Sequence, residues 1–386
     1  MNNIKKIPGC VCVFRFTMAC PFIDEVMDKE ALILRRAFRR ERFFRDRSDP
    51  LAFDDSHLYE RYRFCGDGIR YLCRLLGPKI QHRTSRSHAL TIPQTVCIGL
   101  RFFASGIFLY AVGDAENLSK ATVCRSIRQM YLALKGFLNI FITFPGHKRT
   151  CFIKEEFYKI AGGPNMNYRL QNRVTFTVGH YSLFCVTGFP NVIGALDCTH
   201  IRIKRPSGVH EGDFVNRKSY HSINVQMICD ADCTFSNVEA KWPGSVHDSR
   251  VFRASTIFQR LSQGEYAGVL LGDKGYACQP FLLTPFADPQ TAAQHTYNLA
   301  HARSRASIEM AFGLLKSRFQ CLHHLRVTPE RACDITVACT ALHNIACLRK
   351  ERAPRVALDM DWDNEAIFQD TVNGRLFRDQ YVANYF

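Results

Sequence analysis

The fold is decided by the stretch Val192-Ile193-Gly194-Ala195-Leu196-Asp197-Cys198-Thr199-His200. Its apolar beginning is typical of a strand that is buried on both faces of a sheet. Asp197 ends the apolar run, so its carboxylate is expected where a central strand meets the polar Thr199 and His200. Taken singly, an acid in such a position is more often structural than catalytic, but its place in the predicted sheet makes it a candidate site residue.

A second acid occupies a similar position farther along the chain. Asp273 ends the run Gly268-Val269-Leu270-Leu271-Gly272 and is followed closely by Gly275. Glycine lets the backbone turn sharply or approach a ligand. A strand-end acid between glycines therefore suggests a functional site.

A third acid, Glu309, lies on a helix predicted over 303–319. The buried stripe of this helix is formed by Ile308, Phe312, Leu315 and Phe319. Arg305 precedes Glu309 by one turn, and Lys316 follows on the same face. A surface ladder of ion pairs is therefore the structural alternative to a catalytic role for Glu309.

The region around these acids predicts an α/β fold, an α+β mixed sheet flanked by helices. Short runs rich in Val and Ile predict strands near 191–197, 199–204, 221–229, 234–241 and 268–273. The first three are expected to pair as an antiparallel meander. Helices are predicted at 247–262, 303–319 and 329–350.

Residues 93–136 predict three short helices, with breaks near Gly106 and Gly113. Ser119 can cap the third, whose apolar stripe is Val123, Ile127, Met130 and Leu134. Its polar faces carry Lys120, Arg125 and Arg128. This construction suits the recognition helix of a helix-turn-helix, but the spacing alone favours an ordinary amphipathic helix of a bundle.

The charge of the chain favours a polyanionic partner. Lys and Arg total 51 against 35 Asp and Glu, a formal net charge of +16 over 386 residues. Phosphate contacts release counterions, so nucleic acid is the leading candidate. No apolar run approaches the roughly 20 residues of a spanning helix, so we expect no membrane segment. The 17 scattered cysteines are expected to be reduced.

The ends of the chain carry less information. Residues 1–17 suggest a possible N-terminal extension, and 18–90 a basic helical region. An Arg-rich amphipathic helix is predicted at 24–47, either as a solvated face or as a nuclear-import or DNA-backbone patch. Residues 351–386 are expected to form a C-terminal tail, weakly ordered from 354 onward.

Four strings in this order carry a resemblance to a known family. They are Gly194–His200, Pro243–Ser249, Gly272–Tyr276 and Ile308–Lys316. Together they resemble the PIF/Harbinger superfamily of DDE transposases, including its domesticated, transposase-derived nucleases. The spacing between Asp273 and Glu309 also agrees with that family.

The resemblance implies an RNase H-like, retroviral-integrase-like DDE nuclease domain at 190–350. In this arrangement Asp197, Asp273 and Glu309 are the catalytic carboxylates, and they hold two Mg²⁺ or Mn²⁺ ions, which prefer hard oxygen ligands. The resemblance also favours a helix-turn-helix DNA-binding region at 91–150. The DNA contacts then expected are Lys120, Arg125, Arg128, Arg217, Lys218 and Lys316.

Two strings within the domain leave alternatives open. Asp248 either assists a metal ion or caps the helix predicted at 247–262. The string Asn216–His221 fits the family and can hold a phosphate, but a basic hairpin turn is the plainer account.

A zinc site is the competing metal hypothesis. The candidate ligands are Cys321, His323 and His324, or Cys339, His343 and Cys347. The second set lies on one helical face within apolar sequence, and buried packing explains it better. The chain has no C-x-x-C pair, and the motifs G-x-x-x-x-G-K, G-x-S-x-G and H-E-x-x-H are also absent from it.

Two functions remain open from the sequence. The first is an active metal-dependent endonuclease acting on DNA. The second is a retired transposase that lacks cleavage activity and serves as a nuclear DNA-binding or partner-binding protein. The family resemblance implies a Myb-like nuclear DNA-binding partner and a location in the nucleus, with the cytoplasm as an additional compartment. The sequence leaves the oligomeric state open.

Overall fold

A five-stranded mixed sheet lies at the centre of the computed structural model, which describes residues 47, 49–81, 89–162, 188–356 and 369–386. The strands are β1 (Val192–Arg202), β2 (Ser222–Cys229), β3 (Phe235–Pro243), β4 (Val269–Leu271) and β5 (Leu282–Leu283). Their order is β3-β2-β1-β4-β5. The β1–β2 and β2–β3 pairs are antiparallel, whereas β1–β4 and β4–β5 are parallel. This mixed α/β sheet fits the predicted RNase H-like fold.

The predicted pairing of the first strands is wrong. The segments 191–197 and 199–204 form the single strand β1, because Cys198 continues the ladder opposite Gln226. There is consequently no hairpin between them, and β1 pairs with β2 on one side and with β4 on the other. Gly194 lies between these neighbours, and a side chain there would press on Ile228 and Leu270.

Seven helices precede the sheet among the described residues. They are α1 (Asp55–Tyr62), α2 (Gly66–Ile80), α3 (Ile92–Ser105), α4 (Leu109–Ala115), α5 (Lys120–Lys135), α6 (Leu138–Phe141) and α7 (Thr150–Gly162). The three helices predicted between 93 and 136 are confirmed as α3, α4 and α5. Ser119 caps α5 by accepting a hydrogen bond from Thr122 N at 3.2 Å. The predicted apolar stripe of α5 is buried. A helix-turn-helix function for these helices stays a prediction.

Five α-helices follow β3 in the described part of the chain. They are α8 (Asp248–Arg253), α9 (Thr256–Ser262), α10 (Ala292–Arg318), α11 (Pro329–Leu348) and α12 (Val372–Tyr385). The single helix predicted at 247–262 is wrong, because Ser255 starts a new helix by accepting from Phe258 N. The helix predicted at 303–319 begins earlier, at a capping box formed by Thr291 and Gln294.

The two faces of the sheet are covered by different layers. Alternate residues of β1 point to opposite faces. Ala195 belongs to the large core that also contains Ile308 of α10 and Ile345 of α11. Leu196 belongs to a smaller core with Phe252 of α8 and Leu261 of α9. A side chain in register with Ala195 therefore faces α10, and this decides where the Asp197 carboxylate lies.

The C-terminal residues 369–386 are not the weakly ordered tail that the sequence suggested. Thr371 caps α12 by accepting from Gly374 N at 3.1 Å. Tyr381 is buried and stacks on Phe189, with the ring centroids 5.4 Å apart. The predicted extension at 1–17 lies outside the described residues, and so does the basic helix at 24–47 apart from Arg47. Among the described helices none is long and apolar enough to cross a membrane.

Candidate active site

Two of the predicted acids lie side by side because of the strand register. Ala195 of β1 pairs with Leu271 of the parallel strand β4. Two residues farther along each strand, Asp197 and Asp273 reach the same level, and the charge of Asp273 acts directly on Asp197. Gly275 N donates to Asp273 Oδ1 at 3.0 Å, so the turn after β4 orients this carboxylate.

Helix α10 brings Glu309 to the same place through an arginine. Arg305 donates from Nη1 to Asp197 Oδ2 at 3.0 Å and from Nη2 to Glu309 Oε1. The Asp197 side chain is 14% exposed and that of Glu309 is 39% exposed. The ion pair expected between Arg305 and Glu309 is therefore present, and it extends to an acid of another element.

Burial and like charge make ionisation of Asp197 difficult. Burial raises the pKa of Asp197, and the nearby carboxylates of Asp273 and Asp248 raise it further, to about 8. The Arg305 guanidinium and a hydrogen bond from Cys198 N oppose this rise. Even with Arg305 beside it, Asp197 therefore holds its proton more tightly than an ordinary carboxyl group does.

Asp248 lies next to these acids at the start of α8. His247, rather than Asp248, is the N-cap of this helix. Asn224 Nδ2 donates to Asp248 Oδ1 at 2.6 Å and to the Val246 carbonyl at 2.9 Å. The side-chain capping role considered for Asp248 is thus wrong, although its charge in the first turn suits the helix dipole.

The donor set suits hard divalent cations, but the present spacing does not form a closed cage. In the described part of the chain, no three His, Cys, Asp or Glu side chains are arranged so that they can hold a metal ion. The Arg305 guanidinium pairs with both Asp197 and Glu309. Carboxylate oxygens are the ligands that Mg²⁺ and Mn²⁺ prefer. The residue types therefore fit the predicted ions by their donor chemistry.

The predicted DNA contacts fall into separate groups. Lys120, Arg125 and Arg128 are exposed on α5, which packs against α3, α4 and α11. Lys316 lies near the C-terminal end of α10. Its Nζ donates to Thr199 Oγ1 at 2.8 Å and to the His200 carbonyl at 3.3 Å. It therefore ties α10 to β1.

Arg217 and Lys218 lie on an exposed turn near the start of α8. Gly244, directly after β3, packs against the segment that contains this turn. A side chain at Gly244 would collide with Ser222 and with the Phe214 carbonyl, so only glycine allows this close packing. The charge of Arg217 contributes to lowering the pKa of His247, after the larger effect of burial. Arg217 is therefore close to the residue that precedes Asp248.

Of the residues of the zinc hypothesis, Cys321, Cys339 and His343 are packed into the core, whereas His323 is exposed and His324 and Cys347 are partly buried. His343 is fully buried and its Nε2 lies 3.0 Å from the Cys233 carbonyl and 3.4 Å from Cys347 Sγ. Cys321 Sγ and Cys339 Sγ are 4.0 Å apart, and both residues are buried. This supports the interpretation as buried packing.

Sequence reasoning missed Asn224 of β2 and Tyr276, two polar residues close to the acids. Asn224 and Gln226 are fully buried within β2, whose eight residues are all buried. Asn224 orients Asp248, and Tyr276 donates from its hydroxyl to Cys198 Sγ at 3.3 Å. The available signal was an amide in the middle of an otherwise apolar strand, since a buried polar group requires a partner.

The sheet and its acids define a class of protein, the DDE-type endonuclease domain. Residues 196–344 match the family described as "DDE superfamily endonuclease". This matched span contains Asp197, Asp273 and Glu309.

Comparison with known proteins gives the family. The chain is 33% identical over 336 residues to "Putative nuclease HARBI1" of Homo sapiens, covering 85% of this chain and 86% of that protein. The protein of the same name from Xenopus laevis is 31% identical, with 85% and 87% covered. "Protein ALP1-like" of Arabidopsis thaliana is 24% identical over 327 residues, with 79% and 72% covered. The chain therefore belongs to the PIF/Harbinger superfamily of DDE transposases and transposase-derived nucleases. No solved structure matches the chain.

Proposed function

We propose that this protein is a transposase-derived, metal-dependent nuclease that hydrolyses DNA phosphodiester bonds. The observation that carries the proposal is the meeting of Asp197 and Asp273 on neighbouring parallel strands, with Glu309 joined to Asp197 through Arg305. Membership of the family supports a nuclease, and the net charge of +16 supports a nucleic-acid substrate.

The three acids are held by different elements of the fold, so each is proposed to contribute differently to binding the ions. Asp197 lies on the central strand beside Asp273, and it would hold the ions together with that acid. Asp273 is held by the Gly275 amide, and Glu309 projects from a long helix. Divalent ions bound here would supply a nucleophilic water and would stabilise the leaving oxygen. Asp248 is proposed as a neighbouring acid that adds negative charge.

The expected partners follow from the family and the surface charge. We propose that DNA backbone phosphates contact Arg217 and Lys218 near α8 and Lys120, Arg125 and Arg128 on α5. Lys316 is proposed to act close to the acids. A Myb-like nuclear DNA-binding protein is the proposed partner, with the nucleus as the main location and the cytoplasm as an additional one.

One observation favours a second candidate function. The ion pairs of Arg305 satisfy two of the three acids without any metal ion. A retired transposase that keeps its fold and binds DNA or a protein partner without cleaving is consistent with such a site.

Incubation of supercoiled plasmid with the protein and Mg²⁺ or Mn²⁺ tests the proposal. The wild type is expected to nick the plasmid, and Asp197→Asn and Glu309→Gln are expected to lower the rate at least about 100-fold. Asp379→Asn, an exposed acid of α12, is the matched control and should nick like the wild type. DNA binding without nicking under either metal would favour the second candidate.

A further inference from the structure

We propose that Arg305 is a resident counter-ion of the acid cluster, and that it must leave Asp197 and Glu309 before a divalent cation can bind between them. The inference rests on the proposed metal-dependent function. It assigns to Arg305 a role in setting the affinity of the site for metal, distinct from contact with DNA or with the reacting atoms.

The contacts make Arg305 a link between two elements rather than an ordinary helical ion pair. An exposed pair four residues apart on a helix contributes little. Arg305 instead uses one nitrogen for Glu309 on its own helix and the other for Asp197 on β1. The guanidinium, 21% exposed as a side chain, is thus half enclosed by the same carboxylates that are proposed to hold the ions.

Charge decides which cation these acids favour. A single positive charge faces Asp197, which also feels Asp273 and Asp248. A divalent ion compensates more of this negative charge than one guanidinium does. Two cations against the same carboxylate oxygens repel each other, so occupation by metal and by Arg305 should be mutually exclusive. Removal of the guanidinium should therefore raise metal affinity and weaken the metal-free fold.

Mn²⁺ binding to the full chain tests this inference without any measurement of cleavage. Arg305→Gln removes the charge, and Arg305→Lys keeps it. Arg101→Gln is the matched control, because Arg101 forms a comparably enclosed pair with Glu116 at 2.6 Å. The dissociation constant of Mn²⁺, followed by the paramagnetic resonance of the free ion, is expected to fall about tenfold in Arg305→Gln. It should change less in Arg305→Lys and stay unchanged in Arg101→Gln.

The melting temperature supplies the second readout. Arg305→Gln should melt below the wild type without metal and gain more from added Mn²⁺. If the wild type binds Mn²⁺ and Arg305→Gln binds it equally or more weakly, the inference about Arg305 is overturned, whereas the proposed metal-dependent function is not. Absence of Mn²⁺ binding in all variants would overturn the proposed metal-dependent function and the inference with it. Should Arg305→Gln fail to fold, Arg305→Met removes the same charge, and the inference is overturned if that variant binds Mn²⁺ no more tightly than the wild type.

A separate observation carries a second inference, that an unpaired DNA strand binds on the surface formed by Phe108, Tyr110 and Arg326. Phe108 and Tyr110 are 50% and 55% exposed and stack with ring centroids 5.4 Å apart. The Arg326 guanidinium lies 4.6 Å from the Phe108 ring. We infer a stacking platform because exposed rings beside a cation bind bases of a single strand, whose faces a duplex hides.

Two basic residues, Arg326 and Arg202, lie between this aromatic surface and the end of β1. Leu325 N donates to the Arg202 carbonyl at 2.8 Å, so the segment before Arg326 pairs with the end of β1. Arg202 is exposed there, and both Arg202 and Arg326 contribute to lowering the pKa of His324, after burial. The strand β1 then leads back to Asp197. Arg326 and Arg202 thus place positive charge beside the rings and at the end of β1.

Fluorescence anisotropy with labelled single-stranded and duplex DNA, in the absence of metal, tests this surface. Phe108→Ala with Tyr110→Ala should weaken single-strand binding about tenfold or more, with duplex binding nearly unchanged. Phe152→Ala with Tyr158→Ala is the matched control, because these rings of α7 are also exposed. Arg326→Gln should weaken single-strand binding and lower its salt dependence. Unchanged single-strand affinity in both the aromatic pair and Arg326→Gln would overturn the inference.

Discussion

The acid cluster beside β1 and the cysteine–histidine cluster of α11 both resemble metal sites in the sequence, yet they differ physically. The acids are partly exposed, and several negative charges share one guanidinium. His343 is fully buried and already hydrogen-bonded to the Cys233 carbonyl. Ligand types are therefore insufficient to indicate a metal site. Charge that the protein itself leaves incompletely compensated, close to solvent, is the better indicator.

The largest expected effect concerns Asp273. Asp273→Asn should lower plasmid nicking at least about 100-fold, because the amide lacks the charge that offsets divalent ions. Without metal its melting temperature should be unchanged or slightly raised, since carboxylates that repel one another are relieved. Added Mn²⁺ should stabilise the wild type more than the variant. A metal-independent loss of stability would mean that the acids are scaffold, like the α11 cluster.

His343→Ala tests the other side of the comparison. It removes a buried ring and leaves the Cys233 carbonyl without this partner, so the free energy of unfolding should fall by about 2–4 kcal/mol. Denaturant titration measures this change, and added Zn²⁺ should stabilise neither protein. Stabilisation of the wild type by Zn²⁺, lost in His343→Ala, would show that the α11 cluster is a metal site after all.

Asp230 is a buried acid outside the cluster, and its pKa is raised mainly by burial, with a smaller contribution from the charge of Asp232. Asp230 is 4% exposed in the β2–β3 turn, and burial raises its pKa from 3.8 to about 6. The folded state therefore binds this proton more tightly than the unfolded chain. The stability that Asp230 contributes through its proton is present below about pH 4 and is lost as the pH rises through 6.

Asp230→Asn should remove this pH dependence. An amide oxygen can still accept from Asp232 N and Thr234 N, as the carboxylate does at 2.9 and 2.8 Å. Relative to the variant, the wild type should lose about 1–3 kcal/mol between pH 4 and 6. Unfolding titrations across this range measure the difference, and parallel curves for the two proteins would contradict the expected pKa.

The smallest expected effects concern α5. Arg125→Ala and Arg128→Ala should each weaken duplex DNA binding modestly and lower the salt slope by roughly one unit, as the loss of one phosphate contact does. Both side chains are exposed, so the fold should be unaffected. Wild-type affinity and slope in both variants would contradict the helix-turn-helix hypothesis and leave α5 as an ordinary helix of a bundle.

The features predictable from the sequence are those that local patterns encode. Asp197 and Asp273 follow apolar runs, and α5 has a clear cap and stripe, so their places could be predicted. The division of β1 into two strands was wrong because Asp197, Thr199 and His200 interrupt the apolar pattern without interrupting the ladder. The strand β5 has two residues and offers no periodicity.

The features that the sequence did not predict depend on contacts between segments that are distant in the chain. Arg305 could be paired with Glu309 from its spacing, but its bond to Asp197 spans a large separation in sequence. The helix α12 is stabilised by packing of Tyr381 on Phe189, which no local pattern announces. Residues of this kind can be recognised only when the tertiary arrangement is known.

Helix α11 contacts both β3 of the sheet and α5 of the preceding helical region. One apolar core therefore passes from Val123 through Ile335 to Phe235. The helical region and the sheet region should therefore unfold in a single cooperative transition and not as two independent domains. Sequence changes on the packed face of α5 are consequently constrained by the folding of the sheet region. A fragment beginning at residue 188 would expose one side of α11 to water and should aggregate.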